Sequence, residues 1–267
     1  MGLKLYLRFV TYTMKRSVLF LYNMYALLTF VALMLLLFPF FLVASWGGPV
    51  AGGNRSIRLC RWWADAWMAL IGMRHRTVFE VPHDKERPYI FVANHISYID
   101  AVILVKAIRQ YFRPLARAET AALPIFGYIY RNACVMVDRS DPESRAASVK
   151  RLKTLLQKKI SVFVFPEGTF NMGDLPLKSF YDGAFRVALE TGTPIKPILF
   201  LDAFDRMHYS RLASLTPGPS RAVYLEEISV EGYDVDEVAR LRNDVYAIMH
   251  QKLIAYNAAW IGSSPKS

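Results

Sequence analysis

The chain has 267 residues, 54% of them hydrophobic and 14% aromatic, with a net charge of +11. One large domain plus a membrane element fits this length, two independent cores do not, and the apolar content is high for a chain wholly in water. Residues 1–76 hold nine Lys or Arg and one acid, Asp65, so the charge flanks an apolar segment; a nucleic-acid binder would place a basic stripe on its folded domain, and no nucleic-acid partner is expected.

No charge occurs between Arg16 and Arg55, and Ser17 to Trp46 is almost wholly apolar. That run exceeds the roughly 20 residues needed to span a bilayer, and it is too long for a signal peptide. Pro39 and Gly47-Gly48-Pro49 interrupt its far end. Both a tilted span and a hairpin returning to the same leaflet remain open, and basic residues on both sides leave the orientation unset. Anionic head groups would attract the flanks by about 1 kcal/mol per basic residue.

Residues 55–72 predict a second helix, with Leu59, Trp62, Trp63, Trp67, Leu70 and Ile71 among Arg55, Arg58 and Arg61. Trp with Arg suits a bilayer interface, and a buried domain helix is an equal alternative. The expected organisation is helical anchoring elements over 1–76, an α/β domain over 77–262, and a disordered tail over 263–267. Cys60 and Cys134 form no disulfide framework and no zinc pattern, and both are read as reduced.

From residue 86 short β-rich runs alternate with helical ones. Strands are expected at Tyr89 to Ala93, Ala133 to Val137, Ser161 to Phe165, Ile195 to Phe200 and Ala222 to Ile228. Helices are expected at Tyr98 to Arg109, Pro142 to Lys158, Gly183 to Glu190 and Val235 to Tyr256. This alternation predicts an α/β fold, a mainly parallel central sheet with helices on both faces. Active groups in such sheets gather at the carboxyl ends of strands. Two unusual segments fall there: Asn94-His95-Ile96-Ser97-Tyr98-Ile99-Asp100 and Phe165-Pro166-Glu167-Gly168-Thr169.

In continuous helix, His95 and Asp100 would lie roughly 140° apart, so they meet only if the chain turns between them. A strand-to-helix corner supplies that turn. Asp100 could then hold one ring nitrogen and leave the other as a proton acceptor. The competing reading is a capping box, with Ser97 as N-cap and Asp100 in place of the usual Glu. No Gly-x-Ser-x-Gly nucleophile elbow is present, and Cys134 sits in an apolar strand. A His-Asp pair without a protein nucleophile points to direct activation of a substrate hydroxyl. Near the second segment, Gly168 permits close backbone approach, Glu167 could bind a polyol, and Arg117, Arg139 and Lys178 would suit a phosphate. Taken singly, each of these is a turn residue or a solvated charge.

The two segments, in this order and with about seventy residues between them, resemble the glycerolipid acyltransferase family, of the bacterial 1-acyl-sn-glycerol-3-phosphate acyltransferase type. The likeness runs from Tyr89 to Ile228. Asn94-His95 with Asp100 looks like the family's first block, Val135-Met136-Val137-Asp138-Arg139 like its second, Phe165 to Thr169 like its third, and Pro194-Ile195-Lys196-Pro197-Ile198 like its fourth. Arg117-Ala118-Glu119 falls where members often carry Lys-x-Glu.

The resemblance implies a membrane-bound acyltransferase of phospholipid biosynthesis. His95 would be the base and Asp100 its orienting partner. Arg139, Glu167, Gly168 and Thr169 would hold the acceptor, with Arg117 and Lys178 in support. The acceptor would be lysophosphatidic acid, giving phosphatidic acid, and the donor acyl-CoA or an acyl carrier protein as co-substrate. No cofactor, metal or acyl-enzyme is needed, and backbone amides would steady the oxyanion. The expected site of action is the cytoplasmic side of a bacterial inner membrane. One departure matters: Phe170 stands where members often have Arg, and the segment from Leu177 to Asp182 is altered. Another lysolipid, such as an ornithine type, is therefore the alternative acceptor, and a non-catalytic lipid-binding protein of the same fold a further one.

Overall fold

The computed structural model describes residues 2–262, with side chains from residue 14 onward; the tail read at 263–267 lies outside the described residues. Helix α1 (Gly2–Ala44) turns at Ser45–Gly47 into α2 (Gly48–Leu70), and the two pack antiparallel. Gly47 adopts a left-handed φ of 88°, which a side chain would resist, and Pro49 starts α2 where its missing N–H costs nothing. Polar groups fix this hairpin. Tyr22 O–H donates to Ile71 O (2.7 Å), and Trp67 Nε1–H to Ala26 O (2.9 Å). Asn23 clamps the backbone of Leu215, accepting from its N–H (2.9 Å) and donating to its carbonyl (3.1 Å).

The 31 residues from Met14 to Ala44 are long and apolar enough to cross a bilayer. One face of α1 docks on α2, while Val18, Leu21, Leu28, Leu36 and Val43 on the rest of its surface are exposed. Helix α2 packs into the domain through Ile57, Trp67 and Met68, which are buried, and leaves Trp62 exposed.

A seven-stranded sheet follows: β1 (Met73–Phe79), β2 (Ile90–Ala93), β3 (Phe112–Arg117), β4 (Val135–Val137), β5 (Ser161–Val164), β6 (Ile195–Phe200) and β7 (Gly218–Tyr224). Its order is β1-β7-β6-β2-β5-β3-β4, and every neighbouring pair is parallel except β6 with β7. The expected mainly parallel α/β sheet is what forms. Strands β2, β5 and β6 are buried along their whole length, which explains why, Ser161 and Lys196 apart, they are apolar. Helices α1, α2, α3 (Asp100–Ala107) and α4 (Phe126–Ala133) gather on one side. Helices α5 (Pro142–Gln157), α6 (Gly183–Thr191) and α8 (Val238–Ala255) gather on the other, and α7 (Ala203–Arg206) is a single turn after β6.

Helix α5 starts where its sequence says. Pro142 follows Asp141, whose carboxylate accepts from Glu143 N (3.1 Å) and Ser144 N (3.0 Å), a cap worth about 1 kcal/mol.

The structure adds two strands to those expected and moves the start of a third. Strand β1 runs through the boundary placed at 76/77. Strand β3, which contains Pro114, was not among the expected strands. Pro114 sits where pairing passes from β5 to β4, so the missing donor is tolerated. Strand β7 starts at Gly218, four residues before the expected Ala222. Only Ala222–Tyr224 pair with β6, leaving Pro219 on a stretch open on that side.

Candidate active site

The loops after β2 and β5, adjacent parallel strands, meet at their carboxyl ends. Asn94 ties the first loop to β6: its amide donates to Phe200 O (3.0 Å) and its oxygen accepts from Phe200 N (2.8 Å). The chain then turns, and His95 Nδ1 lies 2.9 Å from Asp100 Oδ2. The same oxygen accepts from Ile96 N (2.8 Å) and Ser97 N (2.9 Å). Asp100 is fully buried, whereas the His95 side chain keeps 20% exposure. With Asp100 on Nδ1, the imidazole presents Nε2 as its second nitrogen, and Nε2 has no hydrogen-bond partner among the described residues. The capping alternative also holds in part, because Asp100 accepts from Ser97 N and Ser97 Oγ accepts from Ile99 N (3.3 Å). The helix itself starts later than predicted, at Asp100.

His95 is clamped along its backbone as well. Its N–H donates to Glu167 Oε1 (2.8 Å), and its carbonyl accepts from Asn171 N (2.7 Å). The imidazole stacks on Phe165 at 3.8 Å between centroids, and the Phe170 ring meets it edge-on at 4.4 Å. Tyr98 in turn packs edge-on against Phe170 at 4.7 Å.

Glu167 is not a polyol ligand. It is 2% exposed, and its second oxygen accepts from Lys178 N (2.9 Å). Both carboxylate oxygens thus bind main-chain amides, and Glu167 braces the two loops. Burial pushes its carboxyl up to about 7. Gly168 has φ 74°, and an added Cβ would come within 2.6 Å of the Tyr181 ring. Arg139 donates to the Gly168 carbonyl, and Lys178 Nζ donates to Thr169 Oγ1 (2.6 Å). Arg139, Gly168, Thr169 and Lys178 therefore converge on one turn. Arg117 makes no hydrogen bond to that turn among the described residues, though its charge acts on Arg139. It is 58% exposed and ion-paired with Glu119 at 2.8 Å. Cys60 and Cys134 are both free, and burial pushes both thiols upward, which disfavours either as a nucleophile.

Asn171 and Phe165 are contributors that residue types did not reveal. Asn171 acts through its backbone, which carries no sequence signal. Phe165 lies inside the third block but gave no sign that its ring supports His95.

Residues 75–201 match the acyltransferase family model. That match, with the relatives and the fold neighbour that follow, supports the glycerolipid acyltransferase family. It is 32% identical over 151 residues to a chloroplastic 1-acyl-sn-glycerol-3-phosphate acyltransferase of Arabidopsis thaliana, an alignment covering 56% of this chain and 42% of that one. It is 29% identical over 199 residues to the lyso-ornithine lipid O-acyltransferase of Pseudomonas aeruginosa, covering 68% and 74%. The chain thus spans less than half the length of the chloroplast relative. The fold matches the crystal structure of the 1-acyl-sn-glycerophosphate acyltransferase PlsC from Thermotoga maritima, with a TM-score of 0.71, 20% identity, and coverage of 93% and 98%.

Proposed function

We propose that this chain transfers a fatty acyl group from a thioester donor to the hydroxyl of a lysolipid at a membrane surface. The carrying observation is His95 Nδ1 held at 2.9 Å by a buried carboxylate, on a ring that is still partly exposed. His95 Nε2 takes the proton from the acceptor hydroxyl. The oxygen attacks the thioester carbonyl, the C–S bond breaks, and the thiolate leaves with the proton returned by the imidazolium. Asp100 fixes the tautomer and steadies the transient positive charge, as does the face of Phe165. Acyl-CoA or an acyl carrier protein serves as donor. The outer face of α1 rests in the lipid of the inner membrane, because so many exposed large apolar side chains on one helix mark a membrane contact.

Lysophosphatidic acid is the acceptor that the name of the chloroplast relative supports, with Arg139 and Lys178 as cations near its phosphate. The non-catalytic alternative does not use the oriented imidazole. A second acceptor, a lyso-ornithine lipid, is favoured by Phe170, an uncharged ring beside His95 where the resemblance implies Arg. Thiol release from acyl-CoA, measured in detergent with and without each lysolipid, tests the reading. Release is expected only when a lysolipid is added. Release that ignores the lysolipid identifies a thioester hydrolase instead.

A further inference from the structure

Phe170 is a shared wall. It touches His95, and it also lines a cavity of ≈ 730 Å³ between the 170–180 segment and α8. That cavity is preformed. Trp260 Nε1–H donates to Leu175 O (3.2 Å), Tyr246 O–H to Leu177 O (3.3 Å) and Gly262 N–H to Asp174 O (3.1 Å), so the chain's C-terminal portion straps the segment in place.

The lining carries both signs: Lys178 and Arg242 are cationic, Asp174 is anionic, and Asn243 is neutral and polar. A phosphomonoester calls for cations that converge without neutralisation. Here Asp174 shares the lining with Lys178 and Arg242, and Asp182 stands 2.7 Å from Arg242, so the charge is balanced rather than net cationic. Mixed lining instead suits a group with a carboxylate at one end and an ammonium at the other.

Placement agrees. The α1–α2 hairpin and its apolar surface lie on one side of the sheet, and α8 with the cavity on the other. His95 sits between them, at the end of the central strand β2. A lysolipid with its tail at the hairpin and its hydroxyl at His95 would carry its head group past Phe170. We propose that this cavity is the head-group subsite of the acceptor, that it takes a zwitterionic amino-acid head group, and that Phe170 is the residue selecting it. The proposal rests on the acyl-transfer reading of His95 and names the acceptor class for it.

The test uses the full chain in mixed micelles with acyl-CoA and two acceptors: an N-(3-hydroxyacyl) diamino-acid lysolipid and lysophosphatidic acid. Wild type is expected to favour the zwitterionic acceptor in kcat/KM. Asp174→Asn and Arg242→Gln are each expected to raise KM for that acceptor about tenfold, the loss of roughly one charge-assisted contact, with KM for acyl-CoA unchanged. Phe170→Arg is expected to move preference toward lysophosphatidic acid. Melting curves exclude misfolded variants, and Asp174→Asn, an isosteric change at an exposed residue, is the arm least exposed to that failure. Unchanged acceptor KM in both cavity variants, or a wild type that prefers lysophosphatidic acid, overturns the subsite while acyl transfer stands. Acylation of neither acceptor overturns the reaction itself, and the subsite with it.

Discussion

Two buried carboxylates stand at the ends of neighbouring strands, and each accepts from two main-chain amides. Asp100 binds Ile96 N and Ser97 N, and Glu167 binds His95 N and Lys178 N. Only Asp100 also meets a side chain that reaches solvent, the His95 imidazole. The difference lies in partners rather than in residue type. One carboxylate orients a proton acceptor; the other holds together the loops on which that acceptor sits. Burial alone does not make a carboxylate part of the chemistry.

Predictions that sharpen this contrast run from large to small. His95→Ala should lower turnover on the order of 10³-fold or more, with an unaltered melting curve, since the base is lost and the fold is not. Asp100→Asn should lower kcat by orders of magnitude, because a neutral amide no longer steadies the imidazolium that forms when His95 takes the proton. Its Tm should move only a few degrees, as the Asn oxygen can still accept from Ile96 N and Ser97 N. A large fall in Tm with kcat nearly intact would make Asp100 a helix cap and nothing more.

Glu167→Gln should act differently. An amide cannot accept from two main-chain N–H groups with both of its ends, so one bond is lost at a cost of about 1–3 kcal/mol. Stability should fall together with a more modest loss of activity. The pH dependence separates the two carboxylates further. The Glu167 carboxyl is raised from 4.5 to about 7. Its contribution to stability is fully present below pH 4.5 and is lost as pH rises through 7. Chemical denaturation across that window should show this slope in the wild type and lack it in Glu167→Gln.

Asn23→Leu is the smallest expected effect on chemistry. It unpairs the backbone of Leu215 and should cost about 1–3 kcal/mol, a Tm loss of several degrees, while kcat stays near wild type. A collapse of kcat would mean that the hairpin shapes the site directly.

What was legible in the sequence follows the same division. The His95 corner is made from six consecutive residues, so its spacing carried its geometry. Strand β6 matched its expected bounds because it is buried throughout and, Lys196 apart, its run is apolar. Glu167 was misread because its partners lie 72 and 11 residues away and are backbone atoms, which have no letter in the sequence. Strands β1 and β3 escaped for related reasons. Met73–Phe79 is half-exposed and basic at the sheet edge, and Pro114 hides a strand whose pairing changes partner at that residue. The cavity beside α8 could not be foreseen, since chain segments some seventy residues apart line it.

The account's central claim is that Asp100 keeps a proton on Nδ1 of His95 and leaves Nε2 free to take one from an acceptor alcohol. Nitrogen-15 NMR of histidine-labelled protein in micelles, with His95→Ala to assign the signal, reads this directly. The account predicts a proton on Nδ1 and none on Nε2 in the neutral ring, with that distinction lost in Asp100→Leu, which removes the acceptor. A proton resident on Nε2 in the wild type would contradict it.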